Sequence, residues 1–308
     1  FIQKPNSSIK TLMNQPSNQN NGIPKKIANF SSLKYLIITV AGTGEAGYSG
    51  DNELATNASI NTPYGVAASE NGTLYIADRY NHRIRKIEPN GIILTFAGNG
   101  SSQNICIREP AIGAYIPSPE KIALGADGSL YISSANDHRI RKIDTFGIIK
   151  VVAGTGDAGY NIDGIIATSS QINTPNGIAV DPLGNLYIAD TQNHRIRKVD
   201  PTGIITTIAG TGKPGFSGDN GIATKAQIDS PSSVAVTSDG SVYFTHGLNP
   251  RIRKISPQGK ITTIAGTGVA GLSTDGNSAK ESQFGDWMSI SIGQNDILYI
   301  VDHGNHQI

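Results

Sequence analysis

The sequence is poor in cysteine, in charge and in aromatic residues. Its only cysteine, Cys106, leaves no partner for an internal disulfide and excludes a cysteine-rich zinc site. Charged residues make up 16% of the 308 residues and sum to a net charge of +1, so the total does not favour a polyanionic partner. No apolar run reaches about 18 residues, so no membrane-spanning helix is predicted. The 36 glycines predict short strands and turns.

What the sequence does contain is one motif repeated along the chain. The string NHRIRKI at Asn81–Ile87 returns in variant form near His138, Asn193, Asn249 and Asn305. The tyrosines of the preceding LYI or VYF strings are each 56 residues apart: Tyr75, Tyr131, Tyr187, Tyr243 and Tyr299. Strings like AGTG keep the same step, with their first glycine at Gly42, Gly98, Gly154, Gly210 and Gly266. A fixed period of this length predicts a repeat architecture.

One period predicts a four-stranded antiparallel sheet. Residues 177–212 hold the apolar stretches GIAV, NLYIA, HRIRKV and GIITTIAG, separated by the turn sequences DPLG, DTQN and DPTG. Such a sheet has two apolar faces, and radial stacking against neighbouring sheets covers both. A small residue at the centre of each innermost strand lets the sheets crowd together near an axis. The predicted fold class is all-β, a β-propeller of four-stranded antiparallel blades.

The connections between repeats carry a pattern of their own. Three of them contain an aromatic residue followed three residues later by an aspartate: Tyr48 and Asp51, Tyr160 and Asp163, Phe216 and Asp219. Each also has a short Ala-Thr turn and an isoleucine. We predict an ordered connection from the outer strand to the next inner strand, anchored by the aromatic residue and the isoleucine.

The chain divides into an arm and a ring. Residues 1–33 are rich in Asn, Gln and Ser and are predicted to be a disordered arm, whereas residues 34–308 form the propeller, with five visible repeats and the last truncated. Leu36–Gly42 matches the outermost strand of a blade. This strand completes the last blade and closes a five-bladed ring, or the natural ring has more blades, such as six, and the segment is an arc. The missing initiator Met and the abrupt end suggest an excerpt from a longer protein.

The string LYIADTQNHRIRKV resembles the NHL repeat, named for its Asn-His-Leu signature. Arginine holds the Leu position here, at Arg83, Arg139 and Arg195, and two copies depart from the signature, with Asp137 for Asn and Pro250 for His. The resemblance covers nearly all of the predicted ring. It implies a β-propeller, usually six-bladed, that binds proteins and in some members RNA. The long connections are similar to those of extracellular sensor or adhesion segments, which favours an extracellular or cell-surface region of a longer protein.

Two sets of repeated side chains are candidate functional residues. The arginines of the RIRK strings form a basic surface that attracts phosphates, or each pairs with carboxylates and covers apolar surface with its stem. The balanced charge and low aromatic content favour the second reading. The candidate basic surface comprises Arg83, Arg85, Arg139, Arg141, Arg195, Arg197, Arg251 and Arg253. The signature residues, predicted to be structural, are Asn81, His82, His138, Asn193, His194, Asn305 and His306.

The repeated histidines and glycines do not predict a metal or nucleotide site. Equivalent histidines on different blades lie about 10 Å outside the innermost strand, whereas zinc needs nitrogens about 2.1 Å away. We predict that each histidine holds its own turn, beside an aspartate such as Asp78, and that His246 and His303 are surface residues. The string GTGEAG and its copies fit G-x-G-x-x-G, but no βαβ unit surrounds them, so they predict tight turns.

The sequence as a whole predicts a non-enzymatic binding scaffold. The inner strands hold no histidine and one acid, Asp181, and neither G-x-S-x-G nor H-E-x-x-H occurs. No catalytic residue, metal or cofactor is predicted, and the expected partner is a protein or peptide. Two alternatives stay open. One is an RNA-binding propeller that uses the repeated arginines, and the other is a lyase or lactonase with a metal on the axis.

Overall fold

Sheets of short antiparallel strands dominate the structure. The computed structural model describes residues 2–3, 36–101 and 108–308. Four consecutive sheets each have a core of four antiparallel strands that pair in chain order, and three of these sheets carry a fifth strand at one edge. One two-stranded sheet precedes these four sheets and another follows them. The predicted all-β propeller of four-stranded antiparallel blades is confirmed. Among the described residues, no helix has the length and apolar character needed to span a membrane.

The strands are numbered along the chain, and the sheets are blades one to five. Ahead of the blades lie β1 (Ile2–Gln3) and β2 (Leu36–Ile37). Blade one comprises β3 (Glu53–Leu54), β4 (Pro63–Ala68), β5 (Leu74–Asp78), β6 (Arg83–Ile87) and β7 (Ile92–Ala97). Blade two comprises β8 (Arg108–Pro110), β9 (Ile122–Leu124), β10 (Leu130–Ser134), β11 (Arg139–Ile143) and β12 (Ile148–Ala153).

Blades three to five repeat this plan with fewer strands toward the end. Blade three comprises β13 (Ile165–Ile166), β14 (Pro175–Val180), β15 (Leu186–Asp190), β16 (Arg195–Val199) and β17 (Ile204–Ala209). Blade four comprises β18 (Pro231–Val236), β19 (Val242–His246), β20 (Ile252–Ile255) and β21 (Ile261–Ala265). Blade five comprises β22 (Ser289–Ile292) and β23 (Leu298–Val301). Short 3₁₀ segments lie at Ala55–Asn57, Arg79–Asn81, Ala111–Gly113, Ala135–Asp137, Ala167–Ser169, Thr191–Asn193, Ala223–Lys225, Ala279–Glu281 and Gln294–Asp296.

The connections are ordered and add an edge strand to the blades. In blades one to three the short strands β3, β8 and β13 pair with the outermost strand of the blade that follows them in the chain. In blade four a single bridge from Ile222 to Lys260 takes this place. The isoleucines that end the connections, Ile116, Ile172 and Ile228, are fully buried. Each connection therefore runs along the outer edge of a blade, and its buried isoleucine anchors it in the core before the chain enters the inner strand of that blade.

Turn chemistry fixes where each strand stops. In the DPLG turn of blade three, the backbone N–H of Gly184 donates to the carbonyl of Asp181 at 2.9 Å. The Asp181 carboxylate accepts the N–H groups of Leu183 and Asn185. Gly184 has φ of +84°, a left-handed conformation that glycine adopts without steric cost. The turn reverses the chain within four residues and sets the register of β14 against β15.

Adjacent blades bury their apolar faces against each other. Ile178 on β14 belongs to the same core cluster as Tyr131 of blade two, whereas its neighbour Ala179 belongs to the same cluster as Phe244 of blade four. Side chains therefore alternate between the two neighbouring blades, as the two-residue period of a strand requires. A Cβ atom added to Gly177 would lie 2.6 Å from the Cα of Ser233, so the inner strands approach to backbone contact. Each buried aliphatic side chain contributes about 1.5–3 kcal/mol.

The two end faces of the blade series are uncovered among the described residues. Val66 of blade one is 61% exposed, although its counterparts on the next four inner strands are only 4–8% exposed: Ile122, Ile178, Val234 and Ile290. At the other end, Tyr299 of blade five is half exposed, while Tyr131 and Tyr187 are buried. The described residues thus form an arc.

The N-terminal strand does not complete the last blade. Strand β2 pairs with β1, with Ile2 opposite Ile37 and Gln3 opposite Leu36. Of the two alternatives for Leu36–Gly42, closure of a five-bladed ring by this strand is therefore not formed. Gly42 nevertheless donates to the carbonyl of Ala55, as Gly98 does to Ala111, so the strand leads into blade one as an outermost strand normally does. Residues 4–35, which include most of the predicted arm, lie outside the described residues.

Candidate functional site

The signature asparagine ties the turn of its blade to the connection that precedes it. Asn81 donates from Nδ2 to the carbonyl of Gly47 at 2.6 Å and to the Asp78 carboxylate at 2.8 Å. Asn193 and Asn305 make the corresponding bonds in blades three and five. Both amide hydrogens are used, and the carboxylate within the turn is satisfied by the asparagine rather than by the neighbouring histidine.

The signature histidine ties its blade to the next one. Nδ1 of His82 accepts the backbone N–H of Ser118 at 3.0 Å, and Ser118 lies 36 residues further along, at the entry to blade two. His138 and His194 do the same for Thr174 and Ser230. The predicted bond within the histidine's own turn is therefore wrong. Desolvation by burial lowers the pKa of all three imidazoles, which keeps Nδ1 free to accept. His306 shares their left-handed backbone, with φ of 57°.

The first arginine of the RIRK string lies over an aromatic ring and beside a glycine in blades one, three and four. The Arg195 guanidinium is 3.7 Å from the centroid of the Tyr160 ring, and Arg83 and Arg251 stack in the same way on Tyr48 and Phe216. No such ring contact of Arg139 is found among the described residues, but Arg139 donates to the Thr155 carbonyl, as the other three arginines donate to the equivalent carbonyls. The anchoring aromatic residues of the connections are thus platforms for arginine.

This stacking explains the second glycine of the AGTG strings. A Cβ atom on Gly212 would lie 2.3 Å from Nη1 of Arg195, and the equivalent glycines of the other blades meet their arginines as closely. The first glycine approaches backbone instead, since a Cβ on Gly98 would lie 2.4 Å from the His82 carbonyl oxygen. Both glycines are needed for packing, in agreement with the prediction that the G-x-G-x-x-G matches are turns.

The second arginine of each string is buried inside the blade. Arg197 is fully buried and reaches the Asp163 carboxylate at 2.9 Å and the Asp190 carboxylate at 3.2 Å. The counterparts Arg85, Arg141 and Arg253 are buried as well. These four guanidinium groups lie where no phosphate backbone reaches them, which corrects half of the predicted basic surface. These four arginines instead pair with carboxylates, as the alternative prediction states.

Blade two keeps this ion pair with a different donor set. Ser134 stands where blades one and three have the turn aspartate, and Ile107 stands where they have the connection aspartate. Asp137, which replaces the signature asparagine, supplies the carboxylate and contacts Arg141 at 2.5 Å. The departure from the signature at residue 137 therefore supplies a charge that the other two positions have lost.

Blade four replaces the turn aspartate with His246. Its Nδ1 accepts the backbone N–H of Asp229 at 3.3 Å, the bond that the aspartates accept elsewhere, and its ring stacks on Phe244. His246 is fully buried, so the prediction of a surface residue is wrong. Desolvation, reinforced by the positive charge of Arg253 and Arg251, lowers the pKa of His246 to about 3. The side chain is neutral at physiological pH.

The five inner strands surround an axial cavity of about 550 Å³. Most of its lining is aliphatic, as the inner-strand sequences predict. Its charged or titratable members are Lys121, Tyr64 and His303. Lys121 stands where the other inner strands have glycine or serine, a break in the small-residue pattern that sequence reasoning passed over. His303, predicted to be a surface residue, is exposed and lines this cavity.

A second cavity of about 560 Å³ lies between blades two and three, at the end of the arc where the DPLG and DPTG turns are. Charges of both signs line it, among them Lys142 and Lys150, Asp127 and Asp200. Leu183, also in the lining, is 79% exposed, and Phe146 in a turn of blade two is 89% exposed. Within the described ranges no group of three or more His, Cys, Asp or Glu residues is placed to hold a metal ion.

Known proteins that resemble this chain share the repeat. A family model described as the teneurin NHL domain matches residues 23–110 and 156–215. The chain is 31% identical over 295 residues to Protein SUPPRESSOR OF QUENCHING 1, chloroplastic, of Arabidopsis thaliana, covering 88% of this chain and 27% of that protein. It is 30% identical to Teneurin-m of Drosophila melanogaster, covering 69% and 8%. It is 29% identical to the human NHL repeat-containing protein 2, covering 82% and 39%.

Solved structures with the same fold carry different functions. An auxiliary nutrient binding protein from Bacteroides ovatus superimposes with a TM-score of 0.59 at 19% identity, covering 82% of this chain and 59% of that one. Virginiamycin B lyase from Staphylococcus aureus superimposes with a TM-score of 0.50 at 19% identity, covering 79% and 64%. These likenesses establish the fold. With the registered signature residues, the family match and the named relatives, they identify the chain as an NHL-repeat β-propeller protein.

Proposed function

We propose that this chain is a non-enzymatic scaffold that binds a protein partner through the turn end of blades two and three. The observation that carries this proposal is that two exposed residues depart from the repeat. Phe146 occupies a turn position that is polar in the other complete blades, namely Asn90, Thr202 and Gln258. Leu183 occupies one that is polar in all other repeats, namely Asn71, Asp127, Asp239 and Asn295.

The blade does not need Phe146 or Leu183 in order to fold. A residue that serves the blade recurs at its position in most blades, as the RIRK arginines and most of the signature residues do. Phe146 and Leu183 are large, apolar and almost fully exposed, and their equivalents show that the turns form without them. Binding residues lie disproportionately on loops that a rigid scaffold positions, and both side chains are in such loops.

Topology places both residues at one end of the arc. The turn between the first and second strands of a blade and the turn between its third and fourth strands lie at the same end of an up-and-down sheet. Leu183 lies in the first kind of turn and Phe146 in the second. The charged cavity between blades two and three opens beside Leu183. We infer a partner segment with apolar side chains flanked by charges of both signs.

The RNA alternative has less support. Of the eight arginines considered for a basic surface, four are buried in ion pairs or backbone contacts. Three of the others lie on aromatic rings that nucleobases would otherwise use, with guanidinium-to-centroid distances of 3.7–4.0 Å. RNA recognition by stacking needs free aromatic faces.

The enzyme alternative rests on the fold, which lyases and binding proteins share. The NHL signature residues are engaged in bonds that hold blades together, and the axial cavity is lined by no carboxylate. A general acid–base pair therefore has no candidate carboxylate on the axis. A binding scaffold therefore explains the positions of more of the described side chains than an enzyme does.

A displayed library of random peptides provides the test. Peptides selected on the whole chain are titrated by fluorescence anisotropy against the wild type and the double variant Phe146→Thr and Leu183→Asp. These substitutions introduce residues that other blades carry at the same positions, so the turns are retained. We expect at least a tenfold loss of affinity, that is, about 1.4 kcal/mol.

Leu248→Asn is the matched control. Leu248 is also exposed and apolar, but it lies in a turn at the opposite end of blade four. Its substitution should change affinity less than twofold. Equal losses in both variants, or peptides that bind both variants as well as the wild type, would refute the proposed surface. Metal-dependent turnover of an ester or lactone by the purified chain would refute the non-enzymatic assignment.

A further inference from the structure

The axial cavity contains a lysine, Lys121, that makes no close ion pair among the described residues. Nζ of Lys121 donates to Oγ of Ser289, across the axis in blade five, at 3.1 Å, and lies 4.8 Å from the centroid of the Tyr64 ring. Among the described residues, no carboxylate oxygen comes within 4.0 Å of it. The ammonium therefore has one neutral hydrogen-bond acceptor and one aromatic face, and two of its three donor positions have no protein partner shown.

The neighbouring carboxylate is already engaged. Glu120 is nearly fully buried and accepts a bond from Nη2 of Arg79 at 2.8 Å, so that pair is neutral overall. The negative charge of Glu120 partly offsets the lowering of the Lys121 pKa by burial, so the two charges attract each other. Glu120 is shared with Arg79, however, and makes no close ion pair with Lys121 among the described residues, so the positive charge of Lys121 is only partly compensated.

The rest of the lining favours the same sign of ligand. The polar members are Tyr64, Ser233, Ser289, Ser291 and His303, all of which can donate hydrogen bonds, and no Asp or Glu of the described residues lines the cavity. The remaining surface is mostly valine, isoleucine, alanine and glycine from the inner strands. A cavity of about 550 Å³ with one charged group and apolar walls has the dimensions and composition of a small-molecule site.

We propose that the axial cavity binds a small monocarboxylate with an apolar body, and that Lys121 pairs with its carboxylate. The ammonium and the Ser289 hydroxyl face the anion, while the aliphatic inner strands, including Ile178 and Val234, enclose the apolar part. Burial lowers the pKa of Lys121, and a carboxylate within hydrogen-bond distance would reverse that effect. The site is on the axis and is separate from the turn-end surface proposed above.

The inference is tested with a matched pair of probes. Naphthalene-2-carboxylate and naphthalene-2-carboxamide have the same apolar body and differ in charge. Each is titrated into the chain by isothermal calorimetry at moderate ionic strength. We expect the carboxylate to bind at least tenfold more tightly than the amide. In Lys121→Met the two probes should bind equally, and in Lys121→Arg the preference should remain.

Lys254→Met is the control, because Lys254 also lies over a tyrosine ring, at 5.4 Å from the Tyr243 centroid, but outside the cavity. It should leave the preference unchanged. Lys121→Gln serves as a second neutral variant if thermal unfolding shows that Lys121→Met is misfolded. Inorganic phosphate is titrated in parallel. Absence of carboxylate binding at millimolar concentration, an equal affinity for the amide, or tighter binding of phosphate would overturn the assignment. None of these outcomes bears on peptide binding at the turn end.

Discussion

His82 and Ser118 belong to different blades, and the bond between them is the means by which one repeat fixes the start of the next. The imidazole accepts the backbone N–H of Ser118 at 3.0 Å, and the same bond recurs between blades two and three and between blades three and four. His82 has φ of 52°, so the histidine also closes its own turn in a left-handed conformation. Asn81, the residue before it, donates to the Gly47 carbonyl in the preceding connection. The signature therefore bonds each blade both to the connection before it and to the blade after it.

Substitution of His194 separates these two roles. His194→Ala removes the acceptor for Ser230, at a cost of about 1–3 kcal/mol, and replaces a residue type that is enriched at positive φ by one that is not, at φ of 50°. His194→Gly relieves the backbone and leaves only the lost acceptor, whereas His194→Asn tolerates the conformation and offers Oδ1 in place of Nδ1. Urea unfolding should show the largest loss of unfolding free energy for His194→Ala, a smaller loss for His194→Gly and the smallest for His194→Asn. If Asn destabilises as much as Ala, the bond between blades is not the cause.

Removal of the buried guanidinium of Arg197 should be among the most damaging single changes. Arg197→Met leaves the buried Asp190 carboxylate without its cation, and breaking a buried pair costs about 3–5 kcal/mol. The control Arg195→Met removes a half-buried guanidinium stacked on Tyr160 and should cost about 1 kcal/mol. Chemical denaturation gives both values. Adding Asp190→Asn to Arg197→Met should recover part of the loss, and no recovery would contradict the ion-pair explanation.

Gly212 and Gly164 form a matched pair of glycines. Both have positive φ, 87° and 81°, but a Cβ on Gly212 meets Arg195 at 2.3 Å, whereas a Cβ on Gly164 meets nothing within 4 Å. Gly164→Ala should therefore show only the backbone cost of about 1–2 kcal/mol, and Gly212→Ala should exceed it by about 1 kcal/mol or more. The difference in unfolding free energy measures the packing of arginine on glycine. Equal losses would mean that the arginine moves aside freely.

The repeat itself made the fold predictable. A period of 56 residues, turn residues between apolar stretches and a small central residue on each inner strand determine a blade and its stacking. The pairing of buried arginines with carboxylates followed from a balanced charge and a repeated position. Those inferences need only the identity of residues at equivalent places, which a single sequence with five copies supplies.

What the sequence did not reveal depends on backbone partners and on departures from the repeat. The acceptor bond of His82 goes to a main-chain N–H, and no residue letter marks such a donor. His246 occupies the register of Asp78 and is buried for that reason, a signal present in the alignment of the repeats but not in the residue type. Lys121, Phe146 and Leu183 also become visible only when the copies are compared position by position.

The uncovered face of blade one can be tested by comparing two valines, one on that face and one between two blades. Val66 and Val234 occupy the same position of the inner strand, but Val66 is largely exposed and Val234 is buried. Val234→Ala removes packed methyl groups and should cost about 2 kcal/mol, whereas Val66→Ala should cost less than about 0.5 kcal/mol. Thermal or urea unfolding of the two variants of the whole chain decides this. A loss at Val66 equal to that at Val234 would show that this face is covered in solution.

The buried imidazole of His246 should make the chain sensitive to acid. Its pKa is about 3 in the folded protein and 6.5 is the ordinary value, so between these limits the unfolded chain binds a proton that the folded chain does not. The associated stability is complete above about pH 6.5 and is lost as the pH falls toward 3, at up to about 1.4 kcal/mol per pH unit. His246→Asn keeps an acceptor for the N–H of Asp229 and cannot take up this proton.

The difference in unfolding free energy between the wild type and His246→Asn isolates this group, because all other titrating groups are common to both proteins. The difference should be constant above pH 7 and should shift in favour of the variant as the pH is lowered from 6.5 to 4. Urea titrations at half-unit steps of pH measure it. A difference that stays flat across this range would mean that blade four opens to hydrate the imidazole before global unfolding. The buried, neutral role assigned to His246 would then be wrong.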